Sequence, residues 1–353
     1  MGIRDTQISN SILGAIFQDV QSTKATLIAR LQAFFSVFHL TLKRYQYGLF
    51  KDLRTQVWKI DEEEYKNSFR GSGKKGKLKA VGDLGYSGST FFTTSNSKFL
   101  IKSLPRASES KFFANELIQP YAEHMRENPT SLLVRITDFL YAPYFSIGAV
   151  LNLAPPNHII MENVLYGKAS DERGDEWETY DLKPNDYFYP ERDIANGHLA
   201  PESVKSRLID YFPDKIRMSQ EDKKGLMDIL KRDTSLLASN NAIDYSLFLV
   251  RYPATTKPVE PSSSPGSPPR SLQTGSASPF RTGLSSSDGK WIYRLVVLDF
   301  FWAKHTVRAK TMTALVKTFN KVVSKKGPMS ITTKPDEYQT RFMKMIENLV
   351  ETS

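Results

Sequence analysis

Three clusters in the 353-residue chain carry residue types suited to chemistry on phosphate. The first is Gly85-Tyr86-Ser87-Gly88-Ser89-Thr90, set between Leu84 and Phe91-Phe92. Glycine lets the backbone approach phosphate oxygens, and unpaired amides and hydroxyls donate to them. A β-turn accounts for such a segment equally well by itself. Lys102 follows, closing the apolar run Phe99-Leu100-Ile101. A lysine at a strand end beside a glycine hairpin reaches the α- and β-phosphates of a nucleotide. Read alone, it is also a strand-end lysine extending to water. The other two clusters are acids at the ends of apolar runs: Asp244 in Ile243-Asp244-Tyr245-Ser246-Leu247-Phe248-Leu249, and Asp299 in Leu295-Val296-Val297-Leu298-Asp299-Phe300-Phe301. A carboxylate at the end of a buried strand is costly unless a metal or cation pairs with it. Either acid alone reads as a strand-end cap. Two such acids on strands joined by one long hairpin converge on one site, able to hold Mg²⁺ and to take the proton of an attacking hydroxyl.

A fourth feature concerns the acceptor. Between Phe300 and Pro335 the chain has no acid, yet it carries Lys304, Arg308, Lys310, Lys317, Lys321, Lys325, Lys326 and Lys334. A solvated helix face explains such a run, and so does docking of an anionic substrate. Near an anionic lipid surface each Lys or Arg contributes about 1 kcal/mol. The whole chain holds 48 Lys and Arg against 38 Asp and Glu, a net charge of +10, which favours a polyanionic partner. No aromatic platform is interleaved with the basic residues, so nucleic acid is not the expected partner. The chain has no cysteine, which excludes disulfides, thiolate metal sites and a cysteine nucleophile. Its longest apolar run, Leu31 to Leu42, is too short to span a bilayer, so the expectation is a soluble or peripheral protein.

The elements that must position these residues read as follows. Ile8, Ile12, Leu13, Ile16, Phe17 and Val20 form one helical stripe, and Leu27, Ile28, Leu31, Phe34, Phe35 and Phe38 a second. These helices are expected to pack on the domain, on a second copy or on a membrane. Met1-Gly2-Ile3-Arg4-Asp5-Thr6 also fits the loose N-myristoylation pattern. Lys66 to Ala80 reads as a flexible basic loop. Strands are expected at Ser89–Thr94, Lys98–Leu104, Leu132–Leu140, Phe145–Val150 and His158–Leu165, with a helix over Ser108–Glu127 that Pro120 bends or ends. That order predicts an antiparallel sheet with one main helix rather than alternating βαβ units. Helices follow at Pro201–Tyr211 and at Ser219–Asn240, where Ser219 and Asp222 form a capping pattern. Residues 254–290, rich in Ser, Pro and Gly, are expected to be a disordered insertion. The strands Ile243–Tyr252 and Trp291–Asp299 flank it, which brings its ends together. Thr311–Val323 and Glu337–Val350 are the last helices.

Taken together, Val81 to Val350 resembles the phosphatidylinositol phosphate kinases. The segments that carry the resemblance are GYSGSTFF, FLIK, NPTSLLVRITDFLY, HIIMENVL, YDLK, IDYSLFLV, RLVVLDFF and TTKPDEYQTRFMKMI, in the family's order. The resemblance implies an α+β, two-lobed, kinase-related fold. Its antiparallel-sheet N-lobe would span 81–165 and an α+β C-lobe 166–353, preceded by a helical segment 1–45 and a variable region 46–80. It implies Mg-ATP and a phosphoinositide lipid acceptor. Gly85, Ser87, Gly88 and Ser89 would cover the phosphates, Lys102 would pair with them, and Glu162, Asn163 and Val164 would form the adenine hinge. Asp244 would lie near the acceptor hydroxyl, Lys183 would be a second cation on phosphate, and Asp299 would be the Mg²⁺ ligand. Lys304, Arg308, Lys310, Lys325, Lys326 and Lys334 would face the substrate and an anionic membrane. The carboxylate partner of Lys102 would be Glu109 or Glu116. A cytoplasmic protein peripheral to a membrane, with a homodimer through its N-terminal helices, completes the expectation. The sequence departs from the family where the usual D-L-K-G-S becomes Asp181-Leu182-Lys183-Pro184-Asn185. Proline removes a donor and restricts its neighbour. The alternative function is therefore a catalytically impaired adaptor that binds phosphoinositide or protein.

Overall fold

The computed structural model describes residues 2–18, 34–70, 78–81, 89–144, 146–151, 153–184, 212–254, 277–303 and 334–352. The described residues divide into two compact units: those within 1–110 and 134–170 form the first, and those within 111–133, 171–254 and 277–353 the second.

The first unit is built on a six-stranded antiparallel sheet in the order β1-β5-β6-β4-β3-β2. Before and around it run α1 (Ile3–Phe17), β1 (Lys43–Tyr45), α2 (Tyr47–Asp52), α3 (Glu62–Arg70), β2 (Lys79–Val81), β3 (Phe91–Thr93), β4 (Phe99–Ser103), α4 (Ala107–Phe112), β5 (Ile136–Tyr141) and β6 (Asn157–Glu162). The α1 stripe falls as the spacing predicts, with Ile8, Ile12, Leu13 and Ile16 buried, though Phe17 is exposed. Register places Phe92, Ile101, Ile160 and Asp138 side by side on one sheet face. Tyr65 and Phe69 of α3 cover that face through Phe99, at ring separations of 5.0 and 6.2 Å. Lys102 sits one residue out of that line and so on the opposite face.

That covered face holds a buried ionic cluster. Asp138, fully buried, accepts from Arg44 Nε at 3.0 Å and Nη2 at 2.6 Å, from Arg54 Nη1 at 3.1 Å and from the Tyr65 hydroxyl at 2.7 Å. Arg54 also donates to Glu62 at 2.6 Å and to the Thr137 carbonyl at 2.5 Å. Burial alone would lower the Arg54 pKa, but Asp138, Tyr65 and Glu62 together more than reverse this and hold it raised.

Several expectations are corrected here. The basic loop expected over Lys66–Ala80 starts later, because Lys66–Arg70 belongs to α3; before it, the π-helical turn Leu53–Val57 and α3 bury Arg54 and Tyr65. Phe145–Val150 is not a strand: Ile147–Val150 is a helical turn capped by Ser146, whose hydroxyl accepts from the Ala149 amide at 3.1 Å. The strand expected from Leu132 begins at Ile136.

The second unit opens on a π-helical stretch, Phe113–Leu117, leading into α5 (Ile118–Glu127). This accommodates Pro120 without a break. Its missing N–H falls in the first turn of α5, and the wider π register relieves the clash with the carbonyl four residues back. Then come β7 (Glu178–Leu182), β8 (Ile216–Met218), α6 (Gln220–Ser239), β9 (Ala242–Ile243), β10 (Ser246–Pro253), β11 (Leu284–Ser285), β12 (Trp291–Leu298), β13 (Trp302–Ala303), α7 (Pro335–Leu349) and β14 (Val350–Thr352). The four-stranded sheet runs β11-β12-β10-β7, and β14 pairs with β8 in parallel. Ser219 caps α6, accepting from the Asp222 amide at 3.0 Å, as the sequence pattern predicts. Asn241 ends that helix in the left-handed conformation, φ 61°.

The expected insertion is shorter than 254–290. Its ends do meet, with the Ala254 amide donating to the Lys290 carbonyl at 2.9 Å. Residues 277–290, however, are part of the unit. Phe280 is buried, and Arg281 Nη2 donates to the carbonyls of Ser131 and Leu133 at 2.5 and 2.8 Å. One aromatic and one long cation bury enough to order a stretch whose composition reads as loop.

Candidate functional site

In the second unit, β10 pairs antiparallel with β12 from Ser246↔Leu298 to Pro253↔Trp291. The same two chains pair again as β9 with β13, at Ile243↔Trp302 and Ala242↔Ala303. Between these ladders, Asp244 and Tyr245 stand opposite Asp299, Phe300 and Phe301, a two-against-three interruption. The strand expected over Ile243–Tyr252 is therefore broken at its acid. Both acids take the left-handed conformation, Asp244 at φ 65° and Asp299 at φ 62°. Non-glycine residues rarely do so, and Asp is among the few that tolerate it. Such a conformation persists only where the surroundings over-determine it.

Those surroundings are visible on each side. Tyr245 is buried, its ring 4.7 Å from Tyr338 and 5.0 Å from Phe342 of α7, and its carbonyl accepts from the Tyr338 hydroxyl at 2.5 Å. Burial raises the Tyr245 phenol well above its usual range, so it stays protonated. After Asp299, Phe300 stacks on Tyr121 at 6.0 Å and Phe301 meets Phe113 edge-on at 5.3 Å. The Val297 amide donates to the Leu132 carbonyl at 2.7 Å, anchoring the end of β12.

Lys183 joins Asp244 from the third strand. It follows Leu182, which pairs with Leu247, so β7 delivers it to the same end of the sheet. Its Nζ donates to the Asp244 carbonyl at 2.7 Å and to Oδ1 at 2.8 Å. Lys183 is 7% exposed and Asp244 20%. Pro184 is buried beside it and leaves this contact in place. A cation, a carboxylate and a second carboxylate thus share one sheet end. Among the described residues no three His, Asp or Glu side chains cluster as a metal cage. One or two carboxylates completed by phosphate oxygens and water is how Mg²⁺ is usually held, so this donor set fits it.

In the first unit, Lys102 is buried on β4, its Nζ 5.7 Å from the Phe91 ring centroid. Ser89 is buried nearby in sequence, and the Thr90 amide donates to the Ser103 hydroxyl at 2.7 Å. Glu162 turns to the covered face, where Oε1 accepts from the Arg135 amide at 3.0 Å. The Asn163 amide donates to the Lys98 carbonyl at 3.0 Å and its side chain to the Ser97 carbonyl at 2.8 Å. Glu162 and Asn163 therefore brace the strand end, with Val164 following. Glu109 is held by Arg106 at 2.9 Å. Lys334, exposed, precedes α7. Gly85, Ser87, Gly88, Lys304, Arg308, Lys310, Lys325 and Lys326 lie outside the described residues, as do the helices expected at 201–211 and 311–323 and most of the second N-terminal one.

The sequence reading missed Tyr338 and Phe342 as supports of Asp244, and Phe113 and Tyr121 as supports of the stretch after Asp299. Aromatic residues at helical spacing were the available signal, but nothing local says which strand they meet.

A family model described as phosphatidylinositol-4-phosphate 5-kinase matches residues 72–279. The chain belongs to this family. A probable phosphatidylinositol phosphate kinase of Dictyostelium discoideum is 30% identical over 226 residues, 62% of this chain and 29% of that protein. A phosphatidylinositol 4-phosphate 5-kinase of Plasmodium falciparum is 28% identical over 331 residues, 87% of this chain and 18% of its own. The human type-1 beta phosphatidylinositol 4-phosphate 5-kinase is 28% identical over 168 residues, 47% of this chain and 28% of its own. The chain spans less than a third of the length of these curated relatives. No helix among the described residues is long and apolar enough to cross a membrane.

Proposed function

We propose that this chain is a phosphoinositide kinase, moving the γ-phosphate of Mg-ATP to a hydroxyl of a phosphatidylinositol phosphate headgroup at a membrane surface. The observation that carries the proposal is the two-against-three interruption, which gathers Lys183, Asp244 and Asp299 at one sheet end and fixes Asp244 through two Lys183 bonds at 2.7 and 2.8 Å. Family membership supplies the class of reaction.

On this reading Asp244 accepts the proton of the attacking hydroxyl, while Lys183 holds its carboxylate in one orientation and adds positive charge where phosphate charge develops. Asp299 is the proposed ligand of Mg²⁺, which, when bound, supplies charge neutralisation on the phosphates. In the first unit, Lys102 offers a buried cation for the α- and β-phosphates, with Ser89 and the glycines at 85 and 88 as phosphate donors. The braced segment Glu162–Val164 would meet adenine. Catalysis of this kind is positioning and preorganised electrostatics, which suits a rigidly bonded pair. The intact Lys183–Asp244 contact beside Pro184 favours an active enzyme over the impaired-adaptor reading. Lys334 and the basic residues before it would face anionic lipid, making the protein peripheral to the cytoplasmic leaflet. The exposed apolar Ile3 and Phe17 of α1 suit a contact with a second copy, which sedimentation of the purified protein would detect.

The test is labelled Mg-ATP with vesicles carrying each monophosphorylated phosphoinositide in turn, alongside Asp299→Asn. Phosphorylated lipid from the wild type alone is the expected result. Product from Asp299→Asn at the wild-type rate would remove Asp299 from the site, and vesicle binding without product from either would favour the adaptor.

A further inference from the structure

We infer that Tyr338 is a positioning residue for Asp244, clamping the backbone that gives the carboxylate its direction. The inference rests on the proposed kinase reading and deepens it. Asp244 stands in a conformation that non-glycine residues adopt only under constraint, φ 65°. Lys183 constrains it on one side, through the Asp244 carbonyl and Oδ1. Lysine is a flexible point donor, and its bonds alone leave the next peptide free to rotate.

Tyr338 supplies the constraint on the other side. It is fully buried on α7, and its hydroxyl donates to the carbonyl of Tyr245, 93 residues away, at 2.5 Å. That carbonyl belongs to the peptide immediately following Asp244–Tyr245, so the bond fixes the exit of the left-handed turn as Lys183 fixes its body. The edge-on contact of Tyr338 with the Tyr245 ring at 4.7 Å holds the same residue by its side chain. Besides Phe342, whose ring also meets Tyr245, α7 is tied elsewhere: Gln339 Nε2 donates to Thr234 and Ser235 of α6 at 3.1 and 2.9 Å. Loss of the Tyr338 hydroxyl would therefore free the turn without freeing the helix.

Tyr338→Phe keeps the ring and removes only the hydroxyl. The comparator is Ile346→Val, a change on the same buried helix face eight residues beyond Tyr338, and it measures what general loosening of α7 does. With Mg-ATP and phosphoinositide vesicles, Tyr338→Phe is expected to lower kcat about tenfold with KM for ATP unchanged, which corresponds to a barrier rise of about 1.4 kcal/mol. Ile346→Val should leave kcat within twofold. Amide hydrogen exchange of both variants, read on peptides covering residues 242–248 and 335–349, needs no turnover. Faster exchange at 242–248 in Tyr338→Phe alone supports the clamp. A Tyr338→Phe enzyme with wild-type kcat and unchanged exchange at 242–248 overturns it, as does equal loss in both variants. A wild type that phosphorylates no lipid, with exchange at 242–248 still raised by Tyr338→Phe, would overturn the kinase reading and leave the clamp standing.

Discussion

Substituting Asp244 by Asn, Gly and Ala separates three roles of one residue. Each variant keeps the Lys183 bond to the residue-244 carbonyl, at 2.7 Å in the wild type, so the ammonium is never fully orphaned. Asn removes the charge but keeps an acceptor for Lys183. An exposed pair contributes up to about 1 kcal/mol, and breaking a buried one costs about 3–5 kcal/mol. Lys183 at 7% and Asp244 at 20% exposure lie between, and Asn should cost about 2 kcal/mol. Gly loses the side-chain bond too, but takes φ 65° without strain. Ala loses the bond and also pays the left-handed penalty of about 1–2 kcal/mol. The expected order of stability is wild type, Asn, Gly, Ala. The Ala–Gly gap of about 1 kcal/mol corresponds to roughly 2–4 °C in melting temperature for a domain of this size. Urea denaturation followed by tryptophan fluorescence measures it, and the vesicle assay should find no turnover in any of the three. Ala as stable as Gly would refute the claim that backbone conformation constrains this position. Turnover near wild type in any variant would refute its place in the chemistry.

Two further outcomes follow from the first unit. Neither ring nitrogen of His158 has a hydrogen-bond partner, and burial holds its imidazole down at about 3. The unfolded chain takes up that proton near the ordinary value of 6.5 while the folded chain does not. Stability is therefore complete above pH 6.5 and falls steadily as pH drops toward 3, by at most about 5 kcal/mol at 1.36 kcal/mol per unit. His158→Leu should flatten the urea midpoint against pH across that window, and an unchanged slope would show that His158 is not neutral in the fold. Asp138→Asn leaves the guanidinium groups of Arg44 and Arg54 buried without their shared carboxylate. It should cost about 3–5 kcal/mol, and a loss under 1 kcal/mol would mean that the cluster is hydrated.

Much of the candidate site was legible in the chain itself. Glycines, a strand-end lysine and two acids closing apolar runs are local features, since burial of a strand fixes which residues line its end. The α1 stripe, the α6 cap and the long strands followed from periodicity and side-chain capping for the same reason. What the sequence did not determine were relations between distant segments. The left-handed backbone at Asp244 and Asp299 arises from two ladders offset by one residue, and no residue near either acid announces it. Arg44, Arg54 and Asp138 look like surface charges until the sheet register brings them together in a buried interior. Residues 277–290 read as loop because their order comes from Arg281 reaching carbonyls about 150 residues away. Tyr338 reads as one more aromatic on a helix, and only the tertiary fold gives it the carbonyl of Tyr245. Local burial patterns name the candidate groups, whereas hydrogen bonds across long separations decide their direction.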